Sequence, residues 1–562
     1  LPFIVSGIIS IWVSYKVGKL WFDETTGLLT AAMIASTQFF VMYSQIARPY
    51  VSGLVISLLM VYYWSLYFYK KRKILYLALF VLFAALSAYN HHFSLLFAAI
   101  VGFSGLFLLK DKSNTIAYLT AGVFIFILYL PHLGIFFSQL SQGGIGGEGG
   151  WLAKPKPTFI FEYVDYLLQF SIWGWLTLIG VVLFNIITGK IVRYDKGLSS
   201  RMLLLSWFLL PIIIGYGYSV LRNPVIQYSM LIFSTPYIYM LVFSYHRKLD
   251  SIKKTIVVFL FLGVNIYGLI YERDHYNVFY HQPYEELFKT ALVDNADRNV
   301  FIIDDCIPYY HDYYFDKYGH KTDYFTKRGS QNTISEFIDV IKNIENDIVV
   351  THSLTGQELQ IVKSLFPYQT DQKNGFTYEI YTFSKIRSDK NSLVNSSMIA
   401  QTNFSEHTGS WKDVSKFVKF DTLEHTYQCE LVGEIWGPSL LLNINDHARD
   451  GLGVFDISMK AKIVDTISKA LLVSSILENN ETIYWNATNI QDYNPVSGEW
   501  TNLFLSIDIQ NALRSRSNMK GLILKINVWN SSKSNLIIDE IKVSLKPGNP
   551  KRYSLYRNIT YR

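Results

Sequence analysis

Apolar positions are distributed unevenly along the chain. Residues 1–271 are dominated by charge-free apolar runs of 17 residues or more, whereas residues 272–562 mix polar and apolar positions throughout. Between Lys73 and Lys110 lie 36 residues without Asp, Glu, Lys or Arg. As one helix they would run about 54 Å, against a hydrocarbon core about 30 Å thick, so two crossings with a break are expected. The break falls at Tyr89-Asn90-His91-His92, the only polar cluster in that stretch. The same reasoning predicts ten spans, near residues 1–17, 25–43, 49–69, 74–89, 93–109, 115–137, 171–189, 202–220, 224–244 and 255–271.

Beyond the last span the periodicity changes twice. Residues 286–386 alternate short apolar runs, such as 299–303 and 347–351, with helical patterns at 333–344 and 355–365, which predicts a small α/β domain. Within it, Asp304-Asp305 suits either a ligand or turn and capping duty, and the tyrosines from Tyr309 to Tyr324 suit either sugar stacking or core packing. From about 400 to 548 the pattern becomes repeated alternating strands, including 503–509, 522–529 and 536–545, which predicts a β-sandwich followed by a basic tail at 549–562. The predicted fold is thus a multi-span α-helical membrane domain (1–275), a small α/β domain and a β-sandwich. Five tryptophans of the sandwich region, Trp411, Trp436, Trp485, Trp500 and Trp529, are candidates for a sugar platform, with most of them expected in the core.

Composition agrees with this division. Of 562 residues, 50% are hydrophobic and 16% aromatic, too apolar for one soluble domain and too long for one core. The net charge of +7 is no nucleic-acid signal, because the basic residues of the first half sit in short loops between apolar runs. Cys306 and Cys429 lie far apart and lack the close Cys or His partners of a zinc site. Leu1 opens inside an apolar run without a signal-peptide layout, so the natural N-terminus is expected to lie upstream.

Loop charge sets a direction, since cytoplasmic loops carry excess Lys and Arg. Alternate loops hold sixteen basic residues, from Lys16 and Lys19 through Lys70–Lys73 to Lys253 and Lys254, while the intervening loops hold only Arg48, Lys154, Lys156 and Arg222. The expected protein is therefore integral to a plasma (inner) membrane, with its C-terminal domains on the non-cytoplasmic side. Arg48, His91, His92, Arg222, Gln227 and Tyr228 are predicted at that same face although they come from separate helices. Arg48 alone suits either snorkelling or anion binding; convergence with the others favours a site. The histidine pair reads equally as a structural feature, and no His spacing suggests a metal.

Between residues 138 and 157 runs a loop with six glycines in the eight residues from Gly143 to Gly150. It lacks the Lys-Ser/Thr of a phosphate loop and reads either as a plain connector or as a lid presenting Glu148, Trp151, Lys154 and Lys156 to a sugar or lipid phosphate. After it, Glu162 and Asp165 sit among aromatics in 159–170, an expected interfacial helix.

Three segments in order carry a family resemblance: Tyr43-Ser44-Gln45-Ile46-Ala47-Arg48-Pro49-Tyr50, then Ala88-Tyr89-Asn90-His91-His92-Phe93-Ser94, then Asn223 to Tyr228 with Pro236 beyond. Together they resemble GT-C-fold membrane glycosyltransferases of the protein-O-mannosyltransferase and aminoarabinose-transferase kind. The resemblance implies an enzyme that moves a hexosyl or pentosyl unit from a polyprenyl-phosphate donor to a protein, lipid or cell-envelope glycan at the non-cytoplasmic face. It implies that Arg48, with Arg222, Gln227 and Tyr228, holds the donor phosphate, and that Tyr43, Gln45, Tyr50, His91, His92 and Trp151 line the donor or acceptor pocket. The family's Arg-Tyr is Gln227-Tyr228 here. Its catalytic aspartate is expected upstream of Leu1, which leaves Glu148, Glu162 and Asp165 as the carboxylates to consider. Asp23-Glu24 looks like the family's acidic pair but falls on the cytoplasmic face by charge count. No cofactor is read from the sequence, and a divalent metal is left open. Segment 523–530 with 537–543 resembles the last strands of carbohydrate-binding-like jelly rolls. The rival readings are a transporter or flippase of a lipid-linked glycan and a non-catalytic scaffold for the sandwich.

Overall fold

The structure is a computed structural model. It describes all residues except 142–151, 153, 188–196, 246–248, 329–332, 388–395, 405–410, 413–416, 423, 424, 466, 514–517 and 557–562. Two units emerge, one comprising Leu1–Asn277 with Leu555–Asn558 and the other Val278–Ser554 with Ile559–Arg562.

The first unit is helical: α1 (Pro2–Trp21), α2 (Glu24–Ser36), α3 (Gln38–Gln45), α4 (Pro49–Tyr69), α5 (Ile74–Asn90), α6 (His92–Leu106), α7 (Lys112–Tyr129), α8 (Leu133–Ser141), α9 (Phe159–Leu167), α10 (Ile172–Ile187), α11 (Gly197–Leu221), α12 (Thr235–Phe243) and α13 (Ser251–Tyr267). Among the described residues five helices are long and apolar enough to cross a membrane by length and composition, and α2 with α3 makes a sixth if that pair is one span. Helices α5 and α6 are shorter, at 17 and 15 residues. Close approach replaces bulk where helices pair: a Cβ on Gly18 would lie 2.8 Å from the Gly27 Cα of the next helix.

Two predicted spans are interrupted. The run 25–43 bends by 58° at Thr37, where the Ser36 and Thr37 hydroxyls turn back to the carbonyls of Ala32 and Met33. The run 224–244 is helical only from Thr235 to Phe243, after a 3₁₀ turn at Tyr228–Leu231. Pro224 has no amide to donate, and the amides of Val225 and Ile226 are satisfied by Ser219 Oγ at 3.1 and 3.0 Å instead of by a helix. Nor is α9 simply interfacial: Tyr163 and Tyr166 are buried in the bundle, and Tyr163 shares a hydrogen bond with Thr235.

The second unit opens with α14 (His275–Tyr280, shared across the boundary) and α15 (Pro283–Leu292), followed by an α/β layer of β1 (Val300–Asp304), α16 (Pro308–Tyr318), β2 (Asp323–Thr326), α17 (Ile334–Lys342), β3 (Ile348–His352), α18 (Gly356–Leu365), β4 (Tyr368–Gly375) and β5 (Tyr378–Ser384). The sheet order is β2-β1-β3-β5-β4, with β1, β2 and β3 parallel and β4 and β5 antiparallel. Capping boxes built on Thr333 with Glu336 and on Thr355 with Glu358 start α17 and α18 where the sequence pattern places them. Asp304 is fully buried and accepts from the Cys306 amide and pairs with His311 Nε2, both at 2.8 Å, which is turn duty.

Eleven strands follow: β6 (Ser397–Thr402), β7 (Trp411–Lys412), β8 (Val418–Asp421), β9 (Thr426–Leu431), β10 (Trp436–Asn443), β11 (Gly453–Ile463), β12 (Ala470–Glu478), β13 (Glu481–Asn489), β14 (Trp500–Asp508), β15 (Leu522–Asn530) and β16 (Leu536–Pro547). They form two sheets, β13-β12-β15-β10-β7 and β14-β11-β16-β9-β8, with β6 beside β16. Alternate residues such as Leu524, Ile526 and Val528 face a common core with Ile457, Leu505 and Ile541. Of the five tryptophans only Trp411 enters that core; Trp436 and Trp485 are more than half exposed, Trp436 stacks on Trp529 at 5.9 Å, and Trp500 lies under Lys460 and Lys462. Residues 549–556 are no loose tail, because Asn549 is buried and donates to the carbonyls of Gly375 and Tyr378, and Arg552 bridges Glu379 and Asp508.

Candidate functional site

The two ends of the helical unit differ in chemistry. At one end Asp23 caps α2 through the Thr26 amide at 2.9 Å, and Glu24 pairs with Lys19 at 3.3 Å and with Lys254 at 2.5 Å. Arg72 pairs with Asp111 at 3.0 Å at the turns following α4 and α6. The acidic pair that looks like a catalytic motif is therefore a helix cap and an ion-pair hub in this Lys-rich end.

At the other end three backbone irregularities meet. The first is the α2–α3 bend. The second is the turn after α9, where Gln169 and Phe170 adopt left-handed φ values of 63° and 56°. The third is a π-helical turn at Gly268–Glu272 that ends α13. The Gln169 side chain supplies backbone groups at the other two breaks, and side chains from the third lock onto Gln38. Gln169 Oε1 accepts the Gln38 amide at 3.0 Å, and Gln169 Nε2 donates to the Asn265 carbonyl at 3.0 Å. Arg273 Nε donates to Gln38 Oε1 at 2.7 Å, and its guanidinium lies 4.8 Å from the Phe170 ring centroid. His275 closes the knot with ring nitrogens 3.3 Å from Gln38 Nε2 and 3.2 Å from Gln45 Oε1. Irregular backbone at membrane depth is tolerated only where protein or a cavity satisfies it, and here protein does so.

Arg273 is 1% exposed and His275 is fully buried. Burial lowers the Arg273 guanidinium to about 10, opposed by Tyr166, Asp165 and Glu272; burial and then the Arg273 charge lower His275 to about 4. At neutral pH the knot thus holds a charged guanidinium beside a neutral imidazole. Glu272 Oε2 is buried without a hydrogen-bond partner among the described residues.

Beside the knot lies an aromatic wall. Tyr43 meets Tyr50 at 4.8 Å, Tyr50 meets His91 at 5.9 Å, and His91 lies 5.9 Å from Phe233. His91 caps α6 by accepting the Phe93 amide at 3.1 Å. Tyr228 stacks on Tyr166 at 4.8 Å, and Tyr43 hydrogen-bonds both Ser229 and Tyr556. Arg48 is exposed at the N-cap of α4, and among the described residues its guanidinium has no hydrogen bond or ion pair. Gln45 enters the knot through His275, whereas His92 turns to Gln139 at 2.7 Å. Arg222 is exposed at the end of α11, and Gln227 is half-buried just before the 3₁₀ turn. Glu162 is engaged by Thr158 at 2.7 Å and Lys156 at 3.8 Å, and Asp165 accepts from Trp175 Nε1 at 2.8 Å. Glu148 and Trp151 lie outside the described residues, as does most of the glycine-rich loop.

Sequence reasoning passed over Gln38, Gln169, Glu272, Arg273 and His275. One signal was present: Glu272, Arg273 and His275 crowd four residues at the very end of the last apolar run. Gln38 carried none, since its partners lie 131 and 235 residues away. Among the described residues no three His, Cys, Asp or Glu side chains are grouped to hold a metal ion.

By length and composition these helices are those of a polytopic membrane protein. Residues 1–135, which carry Tyr43, Arg48, Tyr50 and His91, match the family model for dolichyl-phosphate-mannose-protein mannosyltransferase. Among solved structures the chain is similar to the mycobacterial arabinofuranosyltransferase AftD, with TM-score 0.35 and 10% identity over 96% of this chain and 54% of that one. It is also similar to the Archaeoglobus fulgidus oligosaccharyltransferase, with TM-score 0.28 and 10% identity over 97% and 84%. The CBM22-1–GH10 modules of Clostridium thermocellum xylanase 10B match with TM-score 0.19 and 12% identity over 27% of this chain and 28% of that one. The chain thus spans about half the length of the arabinofuranosyltransferase and under a third of the xylanase modules. No curated protein matches it by sequence.

Proposed function

We propose that the protein is a membrane glycosyltransferase that takes a sugar from a polyprenyl-phosphate donor and attaches it to a protein, lipid or envelope-glycan acceptor at the non-cytoplasmic face. What carries the reading is the family match over residues 1–135 together with Arg48, exposed at the N-cap of α4 two residues from Tyr50 of the Tyr43–Tyr50–His91 wall. Arg48 meets the donor phosphate, where a guanidinium gives paired, charge-assisted hydrogen bonds to a leaving group that gains charge as the glycosidic bond breaks. Arg222, Gln227 and Tyr228 complete the phosphate site, and the aromatic wall with Gln45, His92 and Trp151 borders the sugar. Glu148, Glu162 or Asp165 takes the proton of the acceptor hydroxyl, Glu162 and Asp165 being held in place by Thr158 and Trp175.

The test is transfer from a radiolabelled polyprenyl-phosphate sugar in membranes. Arg48→Ala is expected to lower transfer by about a hundredfold or more, the scale of losing one transition-state donor, while membrane insertion is unchanged. Arg48→Lys should retain part of it, because a point charge replaces only half of a bidentate contact. Normal transfer by Arg48→Ala would remove Arg48 from the site.

A further inference from the structure

Where α5 ends, the side chain of Asn90 lies across the first turn of α4. Its Nδ2 donates to the Pro49 carbonyl at 2.8 Å, and its Oδ1 accepts the Ser52 hydroxyl at 3.3 Å. Only the NH₂ of an amide can donate to a carbonyl, so the two bonds fix which way the group points. The fit is close: a Cβ on Gly53 would lie 2.1 Å from Asn90 Nδ2 and 2.6 Å from Phe233 Cε1. Only glycine at position 53 leaves that amide its room. We propose that Asn90 is a positioning residue for sugar transfer, which holds the first turn of α4 so that Arg48 points at the donor phosphate.

The clamp acts where Arg48 leaves the helix. Arg48 is the N-cap of α4, in extended backbone with φ −130° and ψ 154°, and Pro49 beside it opens the helix. The direction of the arginine therefore follows wherever the first turn is held, and Asn90 holds that turn at Pro49 and Ser52. On the other side of the joint, His91 is the single residue between α5 and α6, C-cap of one and N-cap of the other. Its ring lies 5.9 Å from Tyr50, so the end of α5 and the start of α4 are packed as well as hydrogen-bonded. Cohesion of the two helices does not need the amide, because Ser57 and Ser87 already join them further along at 3.0 Å. A hydrogen bond between membrane helices adds little stability, whereas misplacing a group at a reacting centre by about 1 Å costs up to about a hundredfold in rate. What Asn90 contributes at this spot is position.

The inference rests on the assignment of Arg48 to the donor phosphate. It is tested on the full chain in proteoliposomes, with transfer measured from a radiolabelled polyprenyl-phosphate sugar over a range of donor concentrations. Asn90→Leu, of similar volume and without either polar atom, is expected to lower kcat about tenfold and to raise the donor KM. The melting temperature should change little. Loss of folded protein would instead lower the rate at every donor concentration and leave KM as it was. Gly53→Ala is the second variant: its methyl group pushes the Asn90 amide off its anchors and is expected to reproduce the same changes. The deciding measurement is made with Arg48→Ala already present. A residue that acts through Arg48 has nothing left to position there, so adding Asn90→Leu should lower the residual transfer by no more than about twofold. A tenfold loss repeated in that background would overturn the proposal, as would full transfer by both Asn90→Leu and Gly53→Ala. Failure of both variants to yield folded protein would mark the clamp as a structural brace and overturn it too. Normal transfer by Arg48→Ala is a different result, because it removes the phosphate assignment itself and the positioning role with it.

Discussion

The two ends of the helical unit use polar residues in opposite ways. At the Lys-rich end, Glu24 is about half exposed and pairs with two lysines, and Arg72 pairs with an Asp111 that is half exposed as well. Such pairs are worth little individually, about 0–1 kcal/mol, and any one of them can be replaced by water. At the other end Gln38, Gln169, Arg273 and His275 are buried and linked through Gln38 across 131 to 237 residues of chain. Polar groups at the first end mark where the helices stop, and those at the second hold helices that are broken. A site that must remain open to a lipid-borne substrate is better built on the second kind, because breaks expose backbone that a packed knot can keep in one geometry.

This contrast predicts a graded series. Arg273→Met should have the largest effect, leaving Gln38 Oε1 without its guanidinium donor and Phe170 without the cation over its ring. Losing a charge-assisted hydrogen bond and orphaning its buried acceptor costs about 3 kcal/mol, to be read as a lowered melting temperature of the purified protein or as loss of the folded protein from membranes. Next comes pH. His275 titrates near 4 when folded and near 6.5 when unfolded, so between those values the unfolded chain binds more protons and stability rises with pH. The contribution is fully present above about 6.5 and is lost as pH falls toward 4, with a span of roughly 3 kcal/mol for a shift of that size. His275→Gln should flatten that slope in a melting-temperature series, and a slope left unchanged would show that His275 is not its source. Gln169→Leu should cost about 1–3 kcal/mol by orphaning the Gln38 amide. Smallest is Glu24→Gln, expected to shift stability by less than about 1 kcal/mol and to be masked by added salt. If Glu24→Gln proved as damaging as Arg273→Met, the distinction between the two ends would collapse.

Much of the architecture was legible because it rests on periodicity. The runs 49–69 and 74–89 become α4 and α5 almost residue for residue, and 522–529 becomes β15. Caps were legible too, since Thr333 and Thr355 precede Glu at the spacing a capping box needs. The failures share a cause. A mean over an apolar window cannot register that Thr37 bends a helix or that Pro224 leaves the next two amides to a serine hydroxyl. Charge counting separated Asp23-Glu24 from Arg48, but it has no term for depth. It therefore passed over Arg273 just beyond the last span, when its side chain is one of the largest fully buried groups among the described residues. The tryptophans misled in the other direction: alternation places Trp436 and Trp485 on strands without saying that their faces look outward.

Arg552 deserves one more consequence. It lies five residues beyond the last strand, yet it ties Glu379 of β5 to Asp508 of β14, alongside Gln357 and Gln360 of α18, whose amides reach Thr488 and Ser506. The α/β layer and the sandwich therefore share a clasp that is made only after Arg552, which follows every strand of both layers, has been synthesised. Until then the two layers are separate folding problems. Cutting the chain after Pro547 should turn one cooperative melting step of the second unit into two, and a protease that reaches residues 549–554 before the clasp closes would discard the late product and spare the finished one.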